Sequence, residues 1–132
     1  MKNLAALLFV SFCCALAGCG GRTSTTACKI TGINVGPQNA VADHAAASPG
    51  NQQQFLAFQT SAPPGCAFQL SNLTTATWSV SDPVAASISS VQGPDYGKAT
   101  CMTTTVTPVT VTATVPAGDG TNVIGTTTLS CK

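Results

Sequence analysis

Glutamate is absent, histidine occurs once, and only 7% of the 132 residues are charged, against roughly a quarter in an ordinary soluble domain. Five Lys and Arg against four Asp leave a formal charge of +1. That balance excludes a basic nucleic-acid binder, an acidic tail and a segment held open by its own charge. Asp43, Asp82, Asp95 and Asp119 are each isolated in sequence, so no carboxylate pair suggests general acid–base chemistry. The single histidine, His44, follows Asp43, but neighbours on a strand point to opposite faces and are poorly placed to pair side chain to side chain. No Gly-x-Ser-x-Gly elbow accompanies them, and no glycine-rich phosphate loop is present. Nor is there a Cys-x-x-Cys knuckle, which argues against zinc. Gly118-Asp119-Gly120-Thr121-Asn122 lacks the terminal bidentate acid of a calcium loop and reads as a hairpin turn. No enzyme, metal or cofactor is expected.

What the chain does contain is threonine, cysteine and one apolar run. Twenty threonines, twelve of them from Thr100 onward, supply the polarity that charge does not. The run from Leu4 to Gly18 would span about 22 Å as a helix, short of a hydrocarbon core about 30 Å thick. No second run follows, so residues 1–18 read as a secretory signal rather than a transmembrane anchor.

The run ends Leu16-Ala17-Gly18-Cys19, which resembles the lipobox of bacterial lipoproteins at all four positions. The resemblance implies cleavage before Cys19 and diacylglycerol, with a further acyl chain, on that residue. Two or three chains at about 0.8 kcal/mol per buried methylene hold durably, whereas one does not. Gly20 after the cysteine, where retained lipoproteins carry Asp, implies the outer membrane in an organism with two membranes. Residues 19–27 read as the lipidated cysteine and a flexible polar tether.

Seven cysteines make an odd set, but Cys13 and Cys14 leave with the signal and Cys19 carries lipid. Cys28, Cys66, Cys101 and Cys131 remain. In an exported chain they form two disulfides, with three connectivities open.

Residues 28–132 form one domain without helical periodicity. Short β-branched runs are broken by Gly, Pro, Asn and Asp about every ten residues, the pattern of an all-β sandwich. The clearest strand is Val109 to Val115, with valine and alanine on one face and threonine on the other. Ala117-Gly118-Asp119-Gly120 turns it into Thr121 to Cys131, where Val123, Thr127, Leu129 and Cys131 share a parity. Earlier strands are Ile30 to Val35, continuing after a kink into Ala40 to Ala47, then Gln52 to Thr60, Thr75 to Ser81, Ala85 to Val91 and Lys98 to Thr103. That makes seven strands, the third carrying the only tryptophan, Trp78, read as a core residue rather than a sugar-stacking platform.

These residues resemble the bacterial immunoglobulin-like domains, most closely group 2. The resemblance rests on Ile33-Asn34-Val35-Gly36-Pro37, Gly50 with Phe55-Leu56-Ala57, and Trp78-Ser79-Val80-Ser81-Asp82-Pro83. It continues through Ala86-Ser87-Ile88, Gly97-Lys98-Ala99-Thr100 and Val109 to Val115. The four cysteines and an insert from Ala62 to Leu73 depart from that pattern. The implied seven-stranded immunoglobulin-like sandwich puts Cys28 and Cys66 at one end and Cys101 and Cys131 at the other. Cys28–Cys66 and Cys101–Cys131 are therefore the expected bonds, since Cα atoms more than about 7 Å apart cannot be bridged.

The expected protein is an exported, lipid-anchored envelope module with a structural, adhesive or binding role and no catalysis. It would meet the bilayer through acylated Cys19 and a protein or glycan through loops, strand edges or its hydroxyl-rich surface. Alternatives are an accessory subunit of an envelope complex, or a periplasmic enzyme or inhibitor.

Overall fold

The computed structural model describes residues 28–68 and 70–132. The expected signal segment, the expected lipobox residues Leu16, Ala17 and Gly18, Cys19 and the expected tether lie outside the described residues. Within them the protein is all-β. Its strands are β1 (Gly32–Gly36), β2 (Ala40–Ala42), β3 (Gln52–Gln54), β4 (Leu56–Ser61), β5 (Thr77–Val80), β6 (Ala86–Ile88), β7 (Lys98–Cys101), β8 (Val109–Pro116) and β9 (Asn122–Cys131).

Nine strands replace the seven expected, because two runs each divide between sheets. The first divides at Gly36-Pro37: β1 pairs antiparallel with β4, while β2 pairs parallel with β9. Proline has no N–H for a ladder, and Asn39 adopts φ 53°, a conformation asparagine tolerates. Buried Thr127 ties the crossing down by donating its hydroxyl to the Pro37 carbonyl at 2.9 Å. The second run divides at Phe55, a fully buried side chain whose N–H donates to the Gly97 carbonyl at 2.8 Å. That bond carries the β3–β7 register one step further, and beyond it β4 pairs with β1. Gly97 has φ +72°, and a Cβ there would stand 2.5 Å from the Phe55 carbonyl oxygen. Only glycine permits that approach.

Three sheets result, ordered β1-β4, β3-β7-β6 and β2-β9-β8-β5. They enclose one core because alternation puts one side of each strand inward. Val109, Val111, Ala113 and Val115 of β8 are buried while the threonines between them are half-buried. Packed against them in the core are Val35, Ala57, Ala86 and Ala99 from the other two sheets and Phe55 from between β3 and β4. A Cβ on Gly125 of β9 would meet Ile33 at 3.0 Å and Val35 at 3.2 Å, so its absence lets β1 lie on β9. Trp78 is 5% exposed and meets Tyr96 edge-on, with ring centroids 6.3 Å apart. The Tyr96 hydroxyl donates to the Ala76 carbonyl at 2.7 Å and pins the chain entering β5.

Both disulfides are present. Cys28 and Cys66 join with Cα atoms 5.4 Å apart, and Cys101 and Cys131 with Cα atoms 5.6 Å apart. The second bond links β7 to β9 and hence the three-stranded sheet to the four-stranded one. Closing spans of 38 and 30 residues, each contributes about 3.5–4 kcal/mol in the chain-entropy model.

Candidate functional site

Three surfaces on this frame have the means to recognise something: the outer face of the four-stranded sheet, the outer face of the three-stranded sheet, and the end closed by Cys28–Cys66.

The first is the most regular. Alternation buries the valines of β8 and turns Thr110, Thr112 and Thr114 outward. The register then aligns Thr110 with Thr128, Thr112 with Thr126, and Thr114 with Ile124 on β9. On the other flank Ser79 lies opposite Thr112, and Thr77 opposite Thr114. Hydroxyls therefore repeat about every 6.6 Å along a strand and about every 4.8 Å between strands. Outward strand positions of this sheet carry no Lys, Arg or Asp; Val41 and Ile124 are their exposed large apolar residues. Thr128 donates to Asn39 Oδ1 at 3.0 Å. Among the described residues, the hydroxyls of Thr77, Ser79, Thr110, Thr112, Thr114 and Thr126 have no partner within the protein. A threonine or serine hydroxyl both donates and accepts, so this array offers both roles at every point.

The free edge of the same sheet is less accessible. Trp78 of β5 directs its N–H to Ser90 Oγ at 2.7 Å, and Ser90 donates back to the Trp78 carbonyl at 3.1 Å. One loop serine thus occupies both groups that an added strand would need at that residue. The sequence places Ser90 inside the expected strand Ala85 to Val91, because nothing local marks a hydroxyl twelve residues away as an edge cap.

On the three-stranded sheet, Gln52, Ser87 and Thr100 share an outward row. With Asp95 and Lys98 they line a shallow cavity of about 310 Å³. Lys98 Nζ meets Asp95 Oδ1 at 2.5 Å, so this cavity carries a self-neutralised ion pair.

The third surface is a cavity of about 410 Å³ beside the Cys28–Cys66 bond. Gln59 on the β4 side and Pro116, Ala117 and Gly118 on the β8–β9 turn form its walls. Lys29 reaches across to Asp119 at 3.0 Å. The Asp119 carboxyl is held well below the usual carboxylate range, first by the Thr121 hydroxyl and N–H, then by the Lys29 ammonium. Its Oδ1 accepts from both Thr121 groups, at 2.5 and 3.0 Å, which closes the hairpin that the glycines permit.

Asp43 and His44 occupy separate structural roles. Asp43 Oδ1 accepts the Ala45 N–H at 2.9 Å and closes a tight turn. His44 directs its ring Nδ1 and its N–H to the Lys132 carbonyl. No geometry here brings the acid to the imidazole. Trp78 lies in the core, away from any sugar-stacking position. The outward threonines are visible in the sequence as an alternation; their alignment across three strands is not.

No protein-family model matches the chain, and a search of curated proteins finds no relative.

Proposed function

We propose that this chain is a lipid-anchored module of the bacterial cell envelope whose immunoglobulin-like sandwich binds a neutral glycan through the hydroxyl array. Residues 1–18 would act as the export signal, acylated Cys19 as the anchor and residues 20–27 as the tether. Leu16-Ala17-Gly18-Cys19 supports the anchor. The two disulfides fit an oxidising compartment outside the cytoplasm.

Strand order supports the immunoglobulin-like type. With β3 and β4 taken as one strand running through Phe55, the chain gives the row β1-β4/β3-β7-β6 against β2-β9-β8-β5. Those rows correspond to the A-B-E-D and G-F-C sheets of an immunoglobulin sandwich, with the first strand shared between layers. A fold of this kind carries little functional information on its own.

The observation that carries the binding role is the uncharged hydroxyl lattice of β9, β8 and β5. Protein interfaces draw their affinity from Trp, Tyr and Arg anchors, and none stands at an outward position of this sheet. A neutral polymer of hydroxyls matches the array in charge and offers both donors and acceptors. The reading is therefore one of binding rather than catalysis.

Two measurements test the reading. Mass spectrometry of the mature N-terminus should find Cys19 carrying diacylglycerol, and Cys19→Ser should release the protein from membranes; an unmodified Cys19 overturns the anchor. Retention on immobilised neutral polysaccharides should fall at least about tenfold in Thr112→Lys/Thr126→Lys, a loss of about 1.4 kcal/mol. Equal retention, or co-purification with a stoichiometric partner protein that this variant abolishes, overturns the glycan assignment.

A further inference from the structure

The two disulfides occupy opposite chemical situations. Cys101 and Cys131 are each 2% exposed and belong to the hydrophobic core. Cys28 is exposed and Cys66 half-buried, both outside any strand. The 410 Å³ cavity runs alongside this bond, with both cysteines in its wall. A thiolate must reach a sulfur to exchange with it. At Cys101–Cys131 that requires the sheets to separate; at Cys28–Cys66 the path is open.

We propose that Cys28–Cys66 is a thiol-exchange site through which a dithiol reductant unlocks the Ala62–Leu73 insert while the rest of the fold stays closed. The thiolate of the reductant attacks Cys28 Sγ and forms a mixed disulfide. The Cys28–Cys66 bond breaks, and its electron pair leaves on Cys66 as a thiolate. The second thiol of the reductant then attacks its own sulfur in the mixed disulfide, and Cys28 departs as a thiolate. Both thiolates take up the protons that the reductant gave up. Two electrons pass, the dithiol is oxidised to a disulfide and the protein gains two thiols.

The surrounding hydrogen bonds say what such a step would free. On the N-terminal side, Ile30 N–H donates to the Ala117 carbonyl at 3.1 Å and Thr31 N–H to the Ser61 carbonyl at 3.3 Å. The Thr31 and Ser61 hydroxyls also meet at 2.7 Å. These contacts keep β1 seated from Ile30 onward without the disulfide. On the insert side, among the described residues, Asn72 Oδ1 accepts the Ala57 N–H at 3.1 Å and the Leu73 N–H donates to the Ala57 carbonyl at 2.8 Å, which anchors the far end of the insert. Between Cys66 and those anchors lie Phe68 and Leu70, 45% and 82% exposed. Reduction thus removes the covalent tie at Cys66 from a segment bearing two large apolar side chains, while the contacts from Ile30 onward keep the sheets in place.

The test is alkylation of the folded, full-length protein in graded dithiothreitol, with each cysteine followed by mass spectrometry and the fold by near-ultraviolet circular dichroism. Cys28 and Cys66 should be labelled at least about tenfold faster than Cys101 and Cys131, with the tertiary signal retained. Simultaneous labelling of all four, earlier labelling of Cys101–Cys131, or loss of tertiary signal with the first bond overturns the proposal. Cys28→Ser/Cys66→Ser should fold with Cys101–Cys131 oxidised and still protected; failure to fold overturns it equally. Limited proteolysis should cut the insert of that variant at least about fivefold faster than in the parent, and an unchanged rate counts against release.

Discussion

Each end of β8 lies beside a disulfide, and the two ends are built on different physics. Near Val109, Cys101 and Cys131 are sealed inside the core and join two sheets. Near Pro116, Cys28 and Cys66 sit in loops beside an open cavity, with an exposed ion pair alongside. The spans they close are similar, 30 and 38 residues, so chain entropy alone treats them as near equals. Packing is what separates them. A buried disulfide fills space and couples layers, whereas an exposed one mostly restrains the unfolded chain.

The largest expected effect comes from the sealed end. Cys101→Ala/Cys131→Ala should lower stability by about 5 kcal/mol in urea unfolding, the loop-closure contribution plus the void left by two sulfurs. At the open end, Cys28→Ala/Cys66→Ala should cost about 3 kcal/mol, because the flanking loops relax and no void forms. Equal losses would collapse the distinction.

A smaller effect separates a buried polar tie from an exposed one. Thr127→Val removes the hydroxyl that serves the Pro37 carbonyl and should cost about 1–2 kcal/mol, read from the same unfolding curves. Lys29→Met removes the partner of Asp119 and should leave the urea midpoint unchanged at moderate salt, since both side chains are solvated. The smallest effect concerns acid. A carboxyl lowered in the folded state contributes stability that is present above its unfolded value and lost as pH falls toward the folded one. The Asp119 hairpin should therefore hold at pH 4 and give way only in stronger acid, with Asp119→Asn abolishing that acid-dependent component. An Asp119 carboxyl that titrates by NMR in the ordinary range would contradict this.

The same contrast, between local pattern and distant contact, divides the strands by how legible they are in the chain. β8 can be read almost residue by residue, because Val109 to Val115 alternates strictly and a strand with one buried face obeys a period of two. The parity of Cys101 and Cys131 with core neighbours is legible for the same reason. The division of Gln52 to Thr60 at Phe55 is not. Nothing in that run marks a break; it is set by the distant strands that its two halves meet, β7 up to Phe55 and β1 beyond it. Strand ends behave similarly: Ala85 to Val91 contracts to Ala86–Ile88 once Ser90 turns to cap β5.

The candidate surfaces divide along the same line. By itself the sequence determined the all-β class, the scarcity of charge, the outward threonines of β8 and the cysteines available for pairing, since each depends on composition or on contacts a few residues apart. Tertiary structure alone decided that those threonines align with Thr126, Thr128, Ser79 and Thr77 into one lattice. It also decided that one disulfide is sealed while the other borders a cavity. Alignment and burial are set by which strands meet and in what register, and strand pairing across tens of residues leaves no local mark on the chain.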